Sequence, residues 1–183
     1  EKLLEVIQSI LHQASISQND LKLIAVSNGP GSFTGLRIGM SAAKGMAQAL
    51  SIPILPVPTF EALAMQISEY LPESSYFAIS NRAGRDELYF AKFQIKGNSY
   101  IFKEELKIIP ISEIYLLSNS INVFGNFKDS TTSDKISLKN ISAPDADFVA
   151  KWAIKFGADK IISDIDNIEP NYIKDFIVKE KKK

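Results

Sequence analysis

The sequence predicts an α/β chain of two lobes, and three observations carry that expectation. The first half alternates helical and strand-like apolar patterns, which favours a parallel sheet. The second half opens with three strand-like runs separated by short turn signals, which favours an antiparallel meander. Between the first strand and the longest helical run lies Asn28-Gly29-Pro30-Gly31-Ser32-Phe33-Thr34-Gly35-Leu36-Arg37, a glycine-rich loop at a strand-to-helix junction. Such a junction turns backbone N–H groups outward, toward an anion or a partner.

Leu3, Leu4, Ile7, Ile10, Leu11 and Ala14 recur at helical spacing and predict an amphipathic helix over 1–14. Leu23 to Val26 is a short apolar run, so a buried strand is expected over 23–27. A helix rich in small residues is expected over 35–50, a strand over 52–57 and a helix over 60–70. Pro53 and Pro56 keep that second strand short or at an edge. The order αβαβα implies parallel strands. Strands then follow from Tyr76 to Ile79, Leu88 to Ile95 and Tyr100 to Ile109, with turns at Ala83-Gly84 and Lys96-Gly97-Asn98. A short helix over 111–118 and a strand over 121–124 closed by Gly125 come next, then an irregular stretch, 126–141, with room for a strand in 136–141. Pro144 and Asp145 start a helix over 144–157, whose buried face is Phe148, Val149, Trp152 and Phe156. The lobes are therefore expected at 1–75 and 76–183, with the last helix free to return to the first lobe. Set side by side, the second half carries βββ ahead of its helix and the first does not. A helix-first chain beginning with Glu1 reads as a fragment lacking its opening strands, which would leave a sheet edge exposed.

Bulk properties narrow the function classes. A chain of 183 residues buries roughly 70% of its unfolded surface, enough for a proper core. The 21 basic and 21 acidic side chains cancel, so the electrostatic footprint of a protein that grips RNA alone is missing. With no cysteine, disulfides and thiolate metal sites are excluded. No apolar run approaches the roughly 20 residues of a membrane helix, and no signal-peptide pattern opens the chain. A soluble, cytoplasmic protein is expected.

The glycine spacing of the loop fits neither a P-loop, which needs a Lys-Ser/Thr pair, nor the dinucleotide fingerprint. Gly29, Pro30, Gly31, Ser32, Thr34, Gly35 and Arg37 remain candidates for a phosphate or nucleotide contact, beside the plainer role of a tight turn under a closely packed helix. Gly31 and Gly35 are expected to hold positive φ or close backbone contacts. Arg37 either pairs an acidic group or is a solvated first-turn residue. The single histidine, His12, excludes a zinc peptidase on ligand count, and reads as a helix-face residue. Ser32 and Thr34 have no histidine base nearby and resemble no nucleophile elbow. The Asp145/Asp147 and Asp164/Asp166 pairs read as helix-terminal and loop charges before they read as Mg²⁺ ligands. Arg82, Arg85, Asp86 and Glu87 read as a hairpin tip, and Lys179, Lys181, Lys182 and Lys183 as a frayed basic tail. No catalytic residue and no metal site is expected.

On helix 35–50, at about 100° per residue, Arg37, Ser41, Lys44 and Gln48 share one narrow stripe and most other positions are small or apolar. One sheet cannot cover so wide an apolar surface. Helices 1–14 and 35–50 are therefore expected to present a partner face built on Leu4, Ile7, Leu11, Leu36, Met40, Ala43 and Ala47, with the adaptable Met40 as its anchor. The plainer alternative is an ordinary core helix sandwiched on two sides.

Gly29-Pro30-Gly31-Ser32-Phe33-Thr34-Gly35-Leu36-Arg37 with Gly39-Met40-Ser41-Ala42-Ala43-Lys44-Gly45 resembles the signature of the bacterial TsaB family, also called YeaZ. Thr59-Phe60-Glu61-Ala62-Leu63-Ala64, Asn81-Arg82 with Asp86-Glu87-Leu88-Tyr89, and Glu169-Pro170-Asn171-Tyr172-Ile173-Lys174 are similar to further blocks of that family. The resemblance implies an actin-like fold of the sugar-kinase and Hsp70 type, here without its opening strands. It implies a non-catalytic scaffold in the machinery that makes threonylcarbamoyladenosine in tRNA, next to the anticodon. Its partners would be the catalytic paralogue TsaD and the ATPase TsaE, which would use the metal and ATP, while this chain holds no cofactor of its own. Two alternatives stay open: an actin-fold kinase or acyltransferase with phosphates at the loop, and a homodimer with no dedicated partner.

Overall fold

The longest helix begins where the glycine-rich loop ends. Ser32 is its N-cap, and the Ser32 hydroxyl accepts from the Gly35 N–H, so α2 runs Phe33–Leu50, two residues earlier than the apolar pattern alone suggests. It stops at Ser51, which takes a left-handed conformation (φ 53°) while its N–H closes onto the Ala47 and Gln48 carbonyls. The computed structural model describes residues 2–117, 121–127, 138–139 and 141–173. Two units divide the fold: the chain up to Leu71 with Ala143–Pro170, and Pro72–Ser142 with the residues from Asn171 onward.

In the first unit α1 spans Lys2–Gln13, β1 Ile24–Gly29, β2 Ile54–Pro58 and α3 Thr59–Ser68. The strands β1 and β2 pair in parallel, Ile24 opposite Ile54 through Gly29 opposite Pro58, as the αβαβα order requires. A one-residue shift between Ser27 and Gly29 lets β1 turn toward α2. Apart from Glu61, every residue of α3 is buried. One of its neighbours is α5, Ala146–Phe156, which buries Phe148, Val149, Trp152 and Ala153. Gln66 locks the pair: its amide donates to the Asp145 carboxylate (2.7 Å) and its carbonyl accepts from the Asp145 N–H (2.9 Å). Asp145 stands at the N-cap of α5 yet caps through no side-chain bond. The apolar stripe of α5 packs on α3 and carries 143–170 into the first unit, so the second lobe is not the continuous 76–183 and the last helix takes the return to the first lobe that the sequence left open.

The second unit is a five-stranded sheet ordered β5-β4-β3-β6-β7. Its strands are β3 Tyr76–Arg82, β4 Glu87–Ile95, β5 Tyr100–Pro110, β6 Asn122–Phe124 and β7 Leu138–Lys139, with the short helix α4 at Ile114–Leu117. The meander β3–β4–β5 is antiparallel, whereas β3, β6 and β7 run parallel. Alternation sends Ala78, Leu88, Phe90, Ile109 and Val123 into one cluster with Ile114 and Phe127. Phe77, on the opposite face of β3 from Ala78, stacks on Phe93 at 5.3 Å and meets Phe124 edge-on at 6.0 Å. The outer strand β5 exposes Lys103, Glu105 and Lys107, charges that discourage edge-to-edge pairing. The expected helix end at 118, most of the 126–141 stretch and the basic tail lie outside the described residues.

Gly125 closes β6 at φ 144°, and a Cβ there would stand 1.8 Å from the Ser80 carbonyl oxygen, which belongs to the neighbouring strand β3. Backbone against backbone leaves no flexible group to yield. Gly125→Ala should therefore cost several times the roughly 1 kcal/mol of an ordinary glycine change and lower the Tm by many degrees, measured by calorimetry. A variant melting with the parent would show that β3 and β6 can separate.

Candidate functional site

At the end of β1, Gly29 has φ 116° and its N–H donates 3.0 Å to Thr59 Oγ1, the first side chain of α3. Gly29 and Pro30 are both buried, and their peptide bond is cis. Of the three loop glycines Gly29 alone holds positive φ, so the expectation for Gly31 and Gly35 is corrected. A Cβ on Gly31 would make ordinary contacts of 3.9 Å with Leu36, and one on Gly35 would stand 3.4 Å from Ser32 Cβ and Oγ. Ser32 Oγ is committed to the Gly35 N–H at 3.3 Å, which makes the serine a cap. Thr34 is exposed. Arg37, also exposed, lies with its guanidinium 4.0 Å from the centre of the Phe33 ring.

Beyond this loop α2 has two unlike sides. Its inner side buries Met40, Ala43 and Ala47 in a cluster with Ile54, Ile165 and Ile168. Met40 is 3% exposed, so the expected anchor is a core residue, and Ala43 and Ala47 leave the partner face with it. The cause is the bulk of the segment after α5, which brings Ile165 and Ile168 against that side and supplies cover the sheet could not. The outer side exposes Ile38 at 55%, with the exposed Ser41 and Gly45 three and seven residues on along the same side. Leu36, one turn before Met40 and on the same side of the helix, is half-buried.

No residue of α1 is buried. Leu4 and Ile10 are 50% and 58% exposed, Leu3 and Val6 are open as well, and Ile7 and Leu11 are half-buried. Leu4 and Ile7 share a small cavity of about 110 Å³ with Met46, Ala49 and Leu50 of α2. Of the expected face residues, Leu4 is exposed and Ile7, Leu11 and Leu36 are half-buried. Ile10 on α1 and Ile38 on α2 are exposed apolar side chains that the expected face did not include. A 100° projection of α2 separates Ile38 from Met40, but choosing the outer side needed the position of the chain after α5.

The remaining candidates serve structural ends. His12 is an exposed residue in the last turn of α1. Asp145 is held by Gln66, Asp147 lies 3.5 Å from Lys151, and Asp164 meets Asn167. The Lys151 pKa is raised, first by its hydrogen bond to Glu69. Arg82 donates to the Arg85 carbonyl and lies 5.9 Å from the centre of the Phe127 ring. Among the described residues no three of His, Cys, Asp or Glu lie close enough to hold a metal ion, and no helix is long and apolar enough to cross a membrane.

Replacing Thr59 by valine keeps the shape of the side chain and removes the acceptor of the buried Gly29 N–H. Thr59→Val should lower stability by about 1–3 kcal/mol in urea unfolding and speed amide exchange at Gly29. Unchanged exchange there would show that water reaches this turn.

Comparison with known proteins agrees with this geometry. A family model described as TsaD: tRNA N6-adenosine threonylcarbamoyltransferase matches residues 1–120. The tRNA threonylcarbamoyladenosine biosynthesis protein TsaB of Escherichia coli (strain K12) is 32% identical over 115 residues, covering 62% of this chain and 49% of that protein. Its namesake from Buchnera aphidicola subsp. Schizaphis graminum is 30% identical over 116 residues, covering 62% and 54%. The chain spans about half the length of these curated relatives. A Pseudomonas aeruginosa crystal structure, described as an uncharacterized protein with similarity to peptidase YEAZ, superposes with a TM-score of 0.73. That superposition covers 94% of this chain and 83% of the other at 22% identity, and shows the actin-like α/β fold. The chain belongs to the family that the TsaD model describes, and within it to the TsaB/YeaZ members.

Proposed function

We propose that this chain is a non-catalytic scaffold subunit in the synthesis of threonylcarbamoyladenosine in tRNA, and that it docks through the outer faces of α1 and α2. The observation that carries this reading is a twelve-residue amphipathic helix with no buried residue, together with the exposed Ile38 on α2. Such a surface is stable in water only at a cost in exposed apolar area, which a partner helix pair would remove. The occupant is a TsaD-type catalytic paralogue, since this chain matches the TsaD model over the segment that carries α1 and α2. ATP and the catalytic metal act in the partner and in a TsaE-type ATPase, and the assembly works in the cytoplasm. Balanced charge, with 21 basic and 21 acidic side chains, fits a subunit that reaches tRNA through its partner.

Ile38→Asp places a charge on the outer side of α2, whereas Met40→Asp places one in the core. Ile38→Asp should keep the circular dichroism spectrum and melting temperature, yet weaken binding to a TsaD relative by more than about tenfold in analytical ultracentrifugation. Met40→Asp should unfold the first unit. Unchanged association of Ile38→Asp would remove the outer side of α2 from the interface. A binding-competent complex that forms only between two copies of this chain would replace the catalytic paralogue with a homodimer.

The chain purified alone should transfer no threonylcarbamoyl group to tRNA, and activity should appear when the catalytic relative is added. Modification by the repurified single chain would end the scaffold reading.

A further inference from the structure

After α5 the backbone returns along β2. Ile162 and Ile54 exchange two backbone hydrogen bonds of 2.8 and 3.0 Å, on the edge of β2 that β1 leaves free. Farther along, Ile165 and Ile168 sink into the cluster of Met40, Ala43, Ala47 and Ile54. Lys44 reaches this segment from α2, and its Nζ donates to the Asp166 carbonyl at 2.8 Å and the Ile168 carbonyl at 3.2 Å. Beside these contacts lies a cleft of about 270 Å³, lined by Gln48 and Ser51 at the end of α2 and by Ser163 and Ile165 opposite. The segment is therefore pinned at two places and unpacked along one flank.

We infer that residues 162–168 form a strap that opens locally from α2 and β2, and that Lys44 is the positioning residue that latches it shut. A charged donor to a carbonyl makes a stronger hydrogen bond than a neutral one, so two such bonds from one ammonium are a large share of the hold on so short a segment. The backbone bonds to Ile54 and the turn from Ile168 N–H to the Ile165 carbonyl are the strap's other described main-chain ties. Segments with few such ties open at lower free energy than the elements they cover. Opening bares the free edge of β2 and the side of α2 that holds Ala43 and Ala47, opposite the outer Ile38. Because the strap seats α2 from behind, its state bears on the same helix that carries the proposed partner face, although the strap itself does not rest on that proposal.

Native-state hydrogen exchange of the whole chain tests the latch, with Lys44→Met retaining the apolar stem and Lys44→Arg retaining a charged donor. In Lys44→Met the Ile162 and Ile168 amides should exchange about tenfold faster or more, while α3 and β4 keep their protection and Lys44→Arg restores the strap. Strap exchange unchanged in Lys44→Met overturns the latch. Exchange rising equally through β1, β2 and α3, or loss of the unit's fold, makes Lys44 a general core support and overturns the strap. Failure of Lys44→Arg to restore protection overturns the role given to the charge.

Discussion

The hydrogen bond from the Gly29 N–H to Thr59 Oγ1 joins the two places where a strand of the first unit gives way to a helix. Gly29 ends β1 opposite Pro58, and Thr59 begins α3 directly after β2. Both turns are buried, so the donor has no water to fall back on, and leaving it unpaired would cost about 1–3 kcal/mol. A residue with a Cβ would resist the φ of 116° at Gly29. The tie fixes the turn from which α2 departs, and the segment after α5 then divides that helix into a core side and an open side.

That division decides the chemistry of the site. Full burial of a side chain such as Met40 contributes roughly 1.5–3 kcal/mol, so the inner side belongs to folding. On the outer side Ile38, like Leu4 and Ile10 of α1, keeps half or more of its apolar surface in water. The loop that resembles a phosphate cradle spends its serine on the helix cap and its first amide on Thr59. The geometry of the turn requires a glycine at Gly29, whereas Gly31 and Gly35 have room for a Cβ.

Two kinds of polar contact hold the first unit's outer pieces. Gln66 clasps the start of α5 with a matched pair of bonds, and Lys44 clasps the strap with another. Each acts on backbone groups that secondary structure leaves unpaired, the N-terminal amide of a helix in one case and loop carbonyls in the other. Lys151, by contrast, bridges Glu69 and Asp147 at the surface, where solvent screens the pair and little stability is gained.

Local chemistry made most elements legible in sequence. Periodic leucines and isoleucines marked α1, Pro144 and Asp145 announced α5, and alternating apolar residues marked β3 to β5, because these signals act within a few residues of one another. The glycine-rich loop also marked the junction and the family. Local pattern did not determine which side of α2 faces inward, since Met40 and Ile38 are equally apolar and two residues apart. Nor did it place α5 on α3, assign Asp145 to Gln66 or bring Lys44 to the carbonyls of Asp166 and Ile168. Those contacts span 79 to 124 positions along the chain. Only the folded chain brings such groups together, and its return after α5 decided which apolar surface became core and which stayed open.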